Sequence, residues 1–246
     1  MTDFRARLLR GDTLYGTLLA IPSPDVAEIV AAAGFDWLFV DGEHGSFDAA
    51  SLVAVLRAAG DTPCLVRVPP GDEPAVACAL DAGAAGVIAP QVHTAAAATR
   101  LAALAHFPPA GVRGVGVTRA SGYGGRLGEY LAGAGGRTAV VVQAESAEAV
   151  DNIEAIARVP GVDAVFVGPN DLAASLGHPG QLDHPAVTAA IGRVLDACRA
   201  AGRRAGIFGM RPDAVRPWME RGATLVTVGA DAVLLGQAAR ALRAEL

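Results

Sequence analysis

The chain has 246 residues, of which 52% are hydrophobic, and a formal net charge of −5. That length can bury one large core, and the negative balance, with no basic stripe interleaved with aromatics, argues against nucleic acid as a partner. All 20 basic residues are arginine, which excludes a Schiff-base lysine and a Walker-type nucleotide loop, since both need a lysine amine.

The opening stretch MTDFRARLLRGDT lacks a long apolar region and a small-residue cleavage site, so it does not read as a secretory signal. No run of eighteen apolar residues is free of Gly, Pro or charge, so no membrane span is expected. Short apolar, β-rich segments then alternate with helical stretches. The first strand is expected over residues 13–20 (TLYGTLLA), and Pro24 and Asp25 open a helix that closes at Gly34. Strands follow at 36–41 (DWLFVD) and 64–68 (CLVRV); Asp72, Glu73 and Pro74 open a helix that stops at Gly83, before a strand at 85–90 (AGVIAP). Residues 107–137 form a long Gly-rich connection, a length associated with functional loops or linkers. Four more strands are expected at 138–144, 163–168, 204–208 and 224–229, with a polar excursion after the third from last and a helix from His184-Pro185 to Gly202. Strand–helix alternation repeated eight times marks a (β/α)8 TIM barrel, an α/β fold. The doubly wound alternative lacks its GxGxxG turn after the first strand. No linker or internal repeat divides the chain, so residues 1–246 are read as a single catalytic barrel. Cys64, Cys78 and Cys198 are odd in number and scattered in apolar surroundings, the pattern of reduced core thiols in a cytoplasmic protein.

Reactive groups of such a barrel lie at the C-terminal ends of its strands, and the polar residues collect there: Asp41, Glu43 and His44, then Arg67, then Gln143 and Glu145, then Gly168, Pro169, Asn170 and Asp171. Taken singly, Asp171 reads as a helix cap and Glu145 as solvent-facing. Two acids on neighbouring strand ends, with an arginine opposite, favour a divalent cation completed by water. Arg67, set in CLVRVP, must pair with an anion; a salt bridge to Asp41 or Asp81 and a clamp on an anionic substrate stand level. His44 ends a strand beside Asp41 and is the general-base candidate, against the alternative of an imidazole that caps a loop. Glu43 either supports these groups or faces solvent.

The strings GFDWLFVDGEHG, LVRVP, LDAGAAGVIAPQV, PPAGVRGVGVTRASGYG, VVVQAES and GVDAVFVGPNDLAASLG, in this order, resemble the class II pyruvate aldolases of the HpcH/HpaI group. That group includes 4-hydroxy-2-oxoheptanedioate aldolase and 2-dehydro-3-deoxyglucarate aldolase. The resemblance runs from about Gly16 to Gly236. It implies reversible cleavage of a 4-hydroxy-2-oxo acid to pyruvate, or a close 2-oxo acid, and an aldehyde, through a metal-bound enolate. On matching positions it implies that Glu145 and Asp171 hold Mg²⁺, Mn²⁺ or Co²⁺, that His44 is the base supported by Asp41, and that Arg67 contacts the oxo group. Gln143 would lie beside the metal, and Gly168, Pro169 and the amides of Asn170 and Asp171 would hold the carboxylate. Asn170 departs from the small residue that relatives often carry there, and Phe208 would wall the aldehyde pocket. The resemblance further implies a hexamer, a trimer of dimers, with the C-terminal helix exchanged between subunits, which the tail LLGQAARALRAEL suits. Residues 107–137 are expected to make subunit contacts or to reach a neighbouring active site. A citramalyl- or malyl-CoA-type lyase on a related barrel is the alternative, although no basic cluster for CoA phosphates is apparent. A non-catalytic oxo-acid-binding protein is a third reading, against which His44 speaks.

Overall fold

The computed structural model describes residues 4–246; the first three residues of the opening stretch lie outside it. Eight strands form: β1 Leu14–Leu19, β2 Trp37–Asp41, β3 Cys64–Arg67, β4 Gly86–Ala89, β5 Ala139–Ala144, β6 Ala164–Val167, β7 Arg204–Gly209 and β8 Ala223–Ala230. Each end falls within one residue of the range read from the sequence. All pairs are parallel, each strand bonds to the next, and β8 returns to β1 to close the barrel. Strands β2 to β6 are buried along their whole length, because helices cover one side and the barrel core the other.

The helices begin where local chemistry says they should. Ser23 accepts the Val26 amide ahead of helix Pro24–Ala32, Asp72 accepts the Ala75 amide ahead of Glu73–Asp81, and His184 Nδ1 accepts the Ala186 amide ahead of Pro185–Ala200. The last helix, Asp231–Ala244, starts on a buried carboxylate. Asp231 accepts the amides of Ala20 and Ile21 at 3.0 and 2.9 Å, fastening the tail to the loop after β1. Beyond that residue the helix leaves Leu234, Leu235 and Leu242 exposed. No helix among the described residues is long and apolar enough to cross a membrane.

Side chains fill the barrel rather than leaving a pore. Leu14, Trp37, Phe39, Leu65, Ile88, Val141, Phe166 and Leu225 point inward and pack together. Gly16 is forced by this layer, since a Cβ there would lie 2.6 Å from the Trp37 ring. An N-terminal helix, Phe4–Arg10, plugs the lower end with Phe4 and Leu8, the former 6.1 Å from the Trp37 ring. Arg5 locks this plug through a two-pronged pair with buried Asp163, at 2.9 and 2.8 Å.

Two expectations need correcting. Residues 107–137 are not simply a connection: they contain a 3-10 turn, Arg119–Ser121, and an α-helix, Leu127–Arg137. The glycines of LGEYLAGAGGR disfavour helix, but tertiary contacts override them. Tyr130 meets Phe107 edge-on, Arg113 lies 4.6 Å over the Phe107 ring, and Arg5 donates to the terminal carbonyls of Gly135 and Gly136. Cys64 and Cys198 are buried as expected, but Cys78 is exposed because it falls on the outer face of its helix.

Candidate active site

On three strands the inward-pointing positions change from apolar to polar in a single step near the C-terminal end. On β2, Trp37 and Phe39 give way to Asp41; on β3, Leu65 to Arg67; on β5, Val141 to Gln143. A cavity of about 340 Å³ opens above the apolar layer, lined by Asp41, His44, Arg67, Gln143, Gly168, Pro169, Asn170, Asp171 and Phe208. Every cavity residue expected from the sequence is therefore there, and Glu145 adjoins it through Gln143 and Gly168. The sequence reading missed the apolar wall formed by Leu18, Phe39, Phe166, Met210 and Ala230. Period-two alternation along the strands was the signal that could have found Leu18, Phe39 and Phe166.

Arg67 and Asp41 form the most deeply buried ion pair of the mouth. Arg67 Nε and Nη2 donate to the two Asp41 oxygens at 2.9 and 2.7 Å, and the guanidinium sits 5.3 Å over the Phe39 ring. Burial alone would raise the Asp41 carboxyl, but the Arg67 hydrogen bonds and charge hold it below its usual range. The salt bridge anticipated for Arg67 thus forms with Asp41 and not with Asp81, which pairs instead with Arg113 at 2.6 Å.

This pair corrects the expected role of Asp41. Its side chain does not hold the His44 imidazole; it accepts the backbone amides of Glu43 and His44, each at 3.2 Å, and is otherwise spent on Arg67. A buried guanidinium outcompetes a rim imidazole for the same oxygens. Glu43 is the carboxylate nearest the ring, with Oε2 3.9 Å from His44 Nε2 and 3.2 Å from Arg67 Nη1. Its side chain is only 10% exposed, so it does not face solvent, and burial raises its pKa against the pull of Arg67. His44 itself is largely exposed at the rim.

Glu145 is 6% exposed, which rules out the solvent-facing reading. Its Oε1 accepts the Gln91 amide at 2.7 Å and its Oε2 accepts Gln143 Nε2 at 2.5 Å. Burial, reinforced by the negative charges of Asp171 and Glu43, pushes its carboxyl up to about 7 although the Gln91 bond opposes the rise. Gly168 is required here, because a Cβ would lie 2.8 Å from Glu145 Oε2. Asp171 does not cap its helix. Gly168 takes the N-cap of Pro169–Ser175 with no side-chain cap bond, and Asp171 stands in the first turn at the cavity wall. The first intrahelical donor is Leu172, bonded to the Gly168 carbonyl, so the Asn170 and Asp171 amides have no partner within the helix.

The donor set fits a hard divalent cation. Glu145 and Asp171 offer oxygens from adjacent strands, their mutual repulsion would be relieved by a cation, and the buried Gln143 Oε1 has no hydrogen-bond partner. Among the described residues no three His, Cys, Asp or Glu side chains gather to hold a metal, so two carboxylates and water would make up the shell. A larger, shallower hollow of about 450 Å³ lies among the outer helices at Glu154, Arg193 and Arg221, remote from this chemistry.

Known proteins share this architecture and sequence. A family described as HpcH/HpaI aldolase/citrate lyase matches residues 15–238. The chain is 43% identical to a 4-hydroxy-2-oxovalerate aldolase of Rhodococcus jostii (strain RHA1), over 99% of this chain and 95% of the relative. It is 41% identical to a hydroxypyruvate/pyruvate aldolase of Pseudomonas aeruginosa, over 97% and 90%. A crystal structure of an HpcH/HpaI aldolase/citrate lyase family protein from Burkholderia cenocepacia J2315 superimposes with a TM-score of 0.95 at 42% identity, covering 100% of this chain and 99% of that one. On the strength of barrel, mouth and sequence together, the chain belongs to the HpcH/HpaI aldolase/citrate lyase family.

Proposed function

We propose that residues 1–246 form one catalytic unit, a class II aldolase that reversibly cleaves a 4-hydroxy-2-oxo acid to pyruvate, or a close 2-oxo acid, and an aldehyde. The observation that carries this reading is the convergence of Arg67, His44, Asp171 and Gln143 on one cavity, with Glu145 behind it. The two aldolase relatives support the oxo-acid half of the substrate. Arg67 is the only arginine lining the cavity, so no phosphate-binding cluster for a CoA ester lies there among the described residues.

Glu145 and Asp171 would hold Mg²⁺, Mn²⁺ or Co²⁺, which when bound supplies a Lewis acid for the 2-oxo oxygen. The chain's own groups do the rest. The Asn170 and Asp171 amides receive the carboxylate, with Gly168 and Pro169 shaping that end of the cavity. Arg67, held in place by Asp41, stabilises the negative charge that gathers on the oxo oxygen as C3–C4 breaks. His44, at the rim, takes the 4-hydroxyl proton directly or through a water. The O–H electrons become the aldehyde C=O, the C3–C4 pair becomes the enolate, and C3 then takes a proton from water while His44 gives its own back to solvent. Phe208 walls the aldehyde side. Exposed Leu234, Leu235 and Leu242 support exchange of the C-terminal helix within a hexamer, and the free cysteines support a cytoplasmic protein.

The test is to incubate the protein with pyruvate, Mg²⁺ or Mn²⁺ and a panel of aldehydes, reading products by mass. Aldol products that vanish with EDTA and return with the cation are expected. Activity that survives chelation rejects the cation, and no product with any aldehyde rejects the aldolase.

A further inference from the structure

Gln91 is one of two non-glycine residues with positive φ among the described residues, at 53°. An ordinary side chain in that conformation costs free energy and needs a local reason. Its side chain is exposed, so the reason is the backbone: the Gln91 amide donates to Glu145 Oε1 at 2.7 Å. Register explains the encounter, since Ala89 pairs with Val142 and the turn after β4 runs beside the end of β5.

A second set of bonds ties the same turn down. His93 Nδ1 lies 2.8 Å from the hydroxyl of Ser146, the residue directly after Glu145. The His93 carbonyl accepts Asn152 Nδ2 at 2.9 Å, and Ser146 Oγ also accepts the Ala149 amide at 3.1 Å. The hydroxyl and the imidazole can share a proton in either direction, so the contact holds in either tautomer. None of Gln91, His93, Ser146 or Asn152 has a part in the chemistry above.

We propose that residues 90–93 are a positioning device for Glu145: the Gln91 amide fixes one carboxylate oxygen, and the His93–Ser146 latch holds the turn in the conformation that aims this amide. Gln143 fixes the other oxygen, so the carboxylate is set before any cation arrives. The proposal rests on the reading of Glu145 as a cation ligand.

The test is Mn²⁺ binding to the substrate-free protein, followed by the electron paramagnetic resonance signal of free Mn²⁺. His93→Ala is expected to weaken Mn²⁺ by about 10-fold or more. His93→Asn, whose amide can replace Nδ1 opposite Ser146, is expected to restore most of the loss. If His93→Ala does not fold, Asn152→Ala carries the same test, because it removes the bond to the His93 carbonyl that ties the turn down, and weaker binding is again expected. Wild-type protein that binds no Mn²⁺ overturns the cation reading of Glu145 and the proposal with it. Wild-type binding matched by folded His93→Ala and Asn152→Ala overturns the positioning role alone.

Discussion

At the N-terminal end of the barrel Asp163 is 2% exposed, and at the opposite end Glu145 is 6% exposed, yet the two carboxylates live in different electrostatic worlds. Asp163 accepts two bonds from Arg5 and a third from the Val140 amide at 3.0 Å, so its charge is matched where it sits. Glu145 has one amide, one side-chain amide, two acids and Arg67 within electrostatic reach but no cation bonded to it, and burial carries its carboxyl up to about 7. Near it the buried Gln143 Oε1 has no hydrogen-bond partner, and Glu43 Oε2 has an ion pair with Arg67 at 3.2 Å without hydrogen-bond geometry. Polar burial at the closed end serves stability, whereas the mouth keeps charge its own residues do not neutralise, at a cost the rest of the fold offsets.

The largest expected effect tests whether the mouth depends on buried Arg67. Arg67→Ala strands Asp41 and Glu43 without their partner and should cost about 3–5 kcal/mol in urea denaturation, with aldol turnover lost. A loss below about 1 kcal/mol would mean that those acids are solvated or protonated at little cost. Next, Asp163→Ala should destabilise by about 3 kcal/mol, while the Mn²⁺ affinity of the folded protein stays the same. A fall in that affinity would join two ends that the comparison holds apart.

The smallest effect has the opposite sign. The Glu145 carboxyl moves from 4.5 to about 7 on folding. Between those values the folded state keeps a proton that the unfolded state has lost, so stability in EDTA falls as pH rises across that window. The fall should be on the order of 2–3 kcal/mol. Glu145→Gln should flatten it and be the more stable protein near pH 8. Equal denaturation profiles for the variant and wild type, near pH 5 and near pH 8, would give this carboxylate an ordinary environment.

The barrel was legible because both signals behind it are local. Valine-rich runs such as AVVVQA mark strands buried on two faces, and Ser23, Asp72 and His184 mark helix starts. The mouth was legible as a set, because polar residues at strand ends are rare enough to notice. Its wiring was not. The sequence leaves Asp41 to either His44 or Arg67, and only the register of β2 against β3, with Asp41 opposite Arg67, decides for Arg67. Gln91 was invisible because its contribution is a backbone amide in an unusual conformation. The helix at Leu127–Arg137 was hidden for the converse reason: its own residues vote against it, and Phe107, Arg113 and Arg5 decide.

Asp231 has a practical consequence for anyone who trims or tags the tail. Its carboxylate grips the loop after β1 through Ala20 and Ile21, while Leu18 and Ala230 on either side of that grip line the cavity. The tail is therefore a lever whose pivot belongs to the pocket wall. Shortening it beyond residue 231 keeps that pivot, but removing residue 231 would release two half-buried amides and loosen the wall itself.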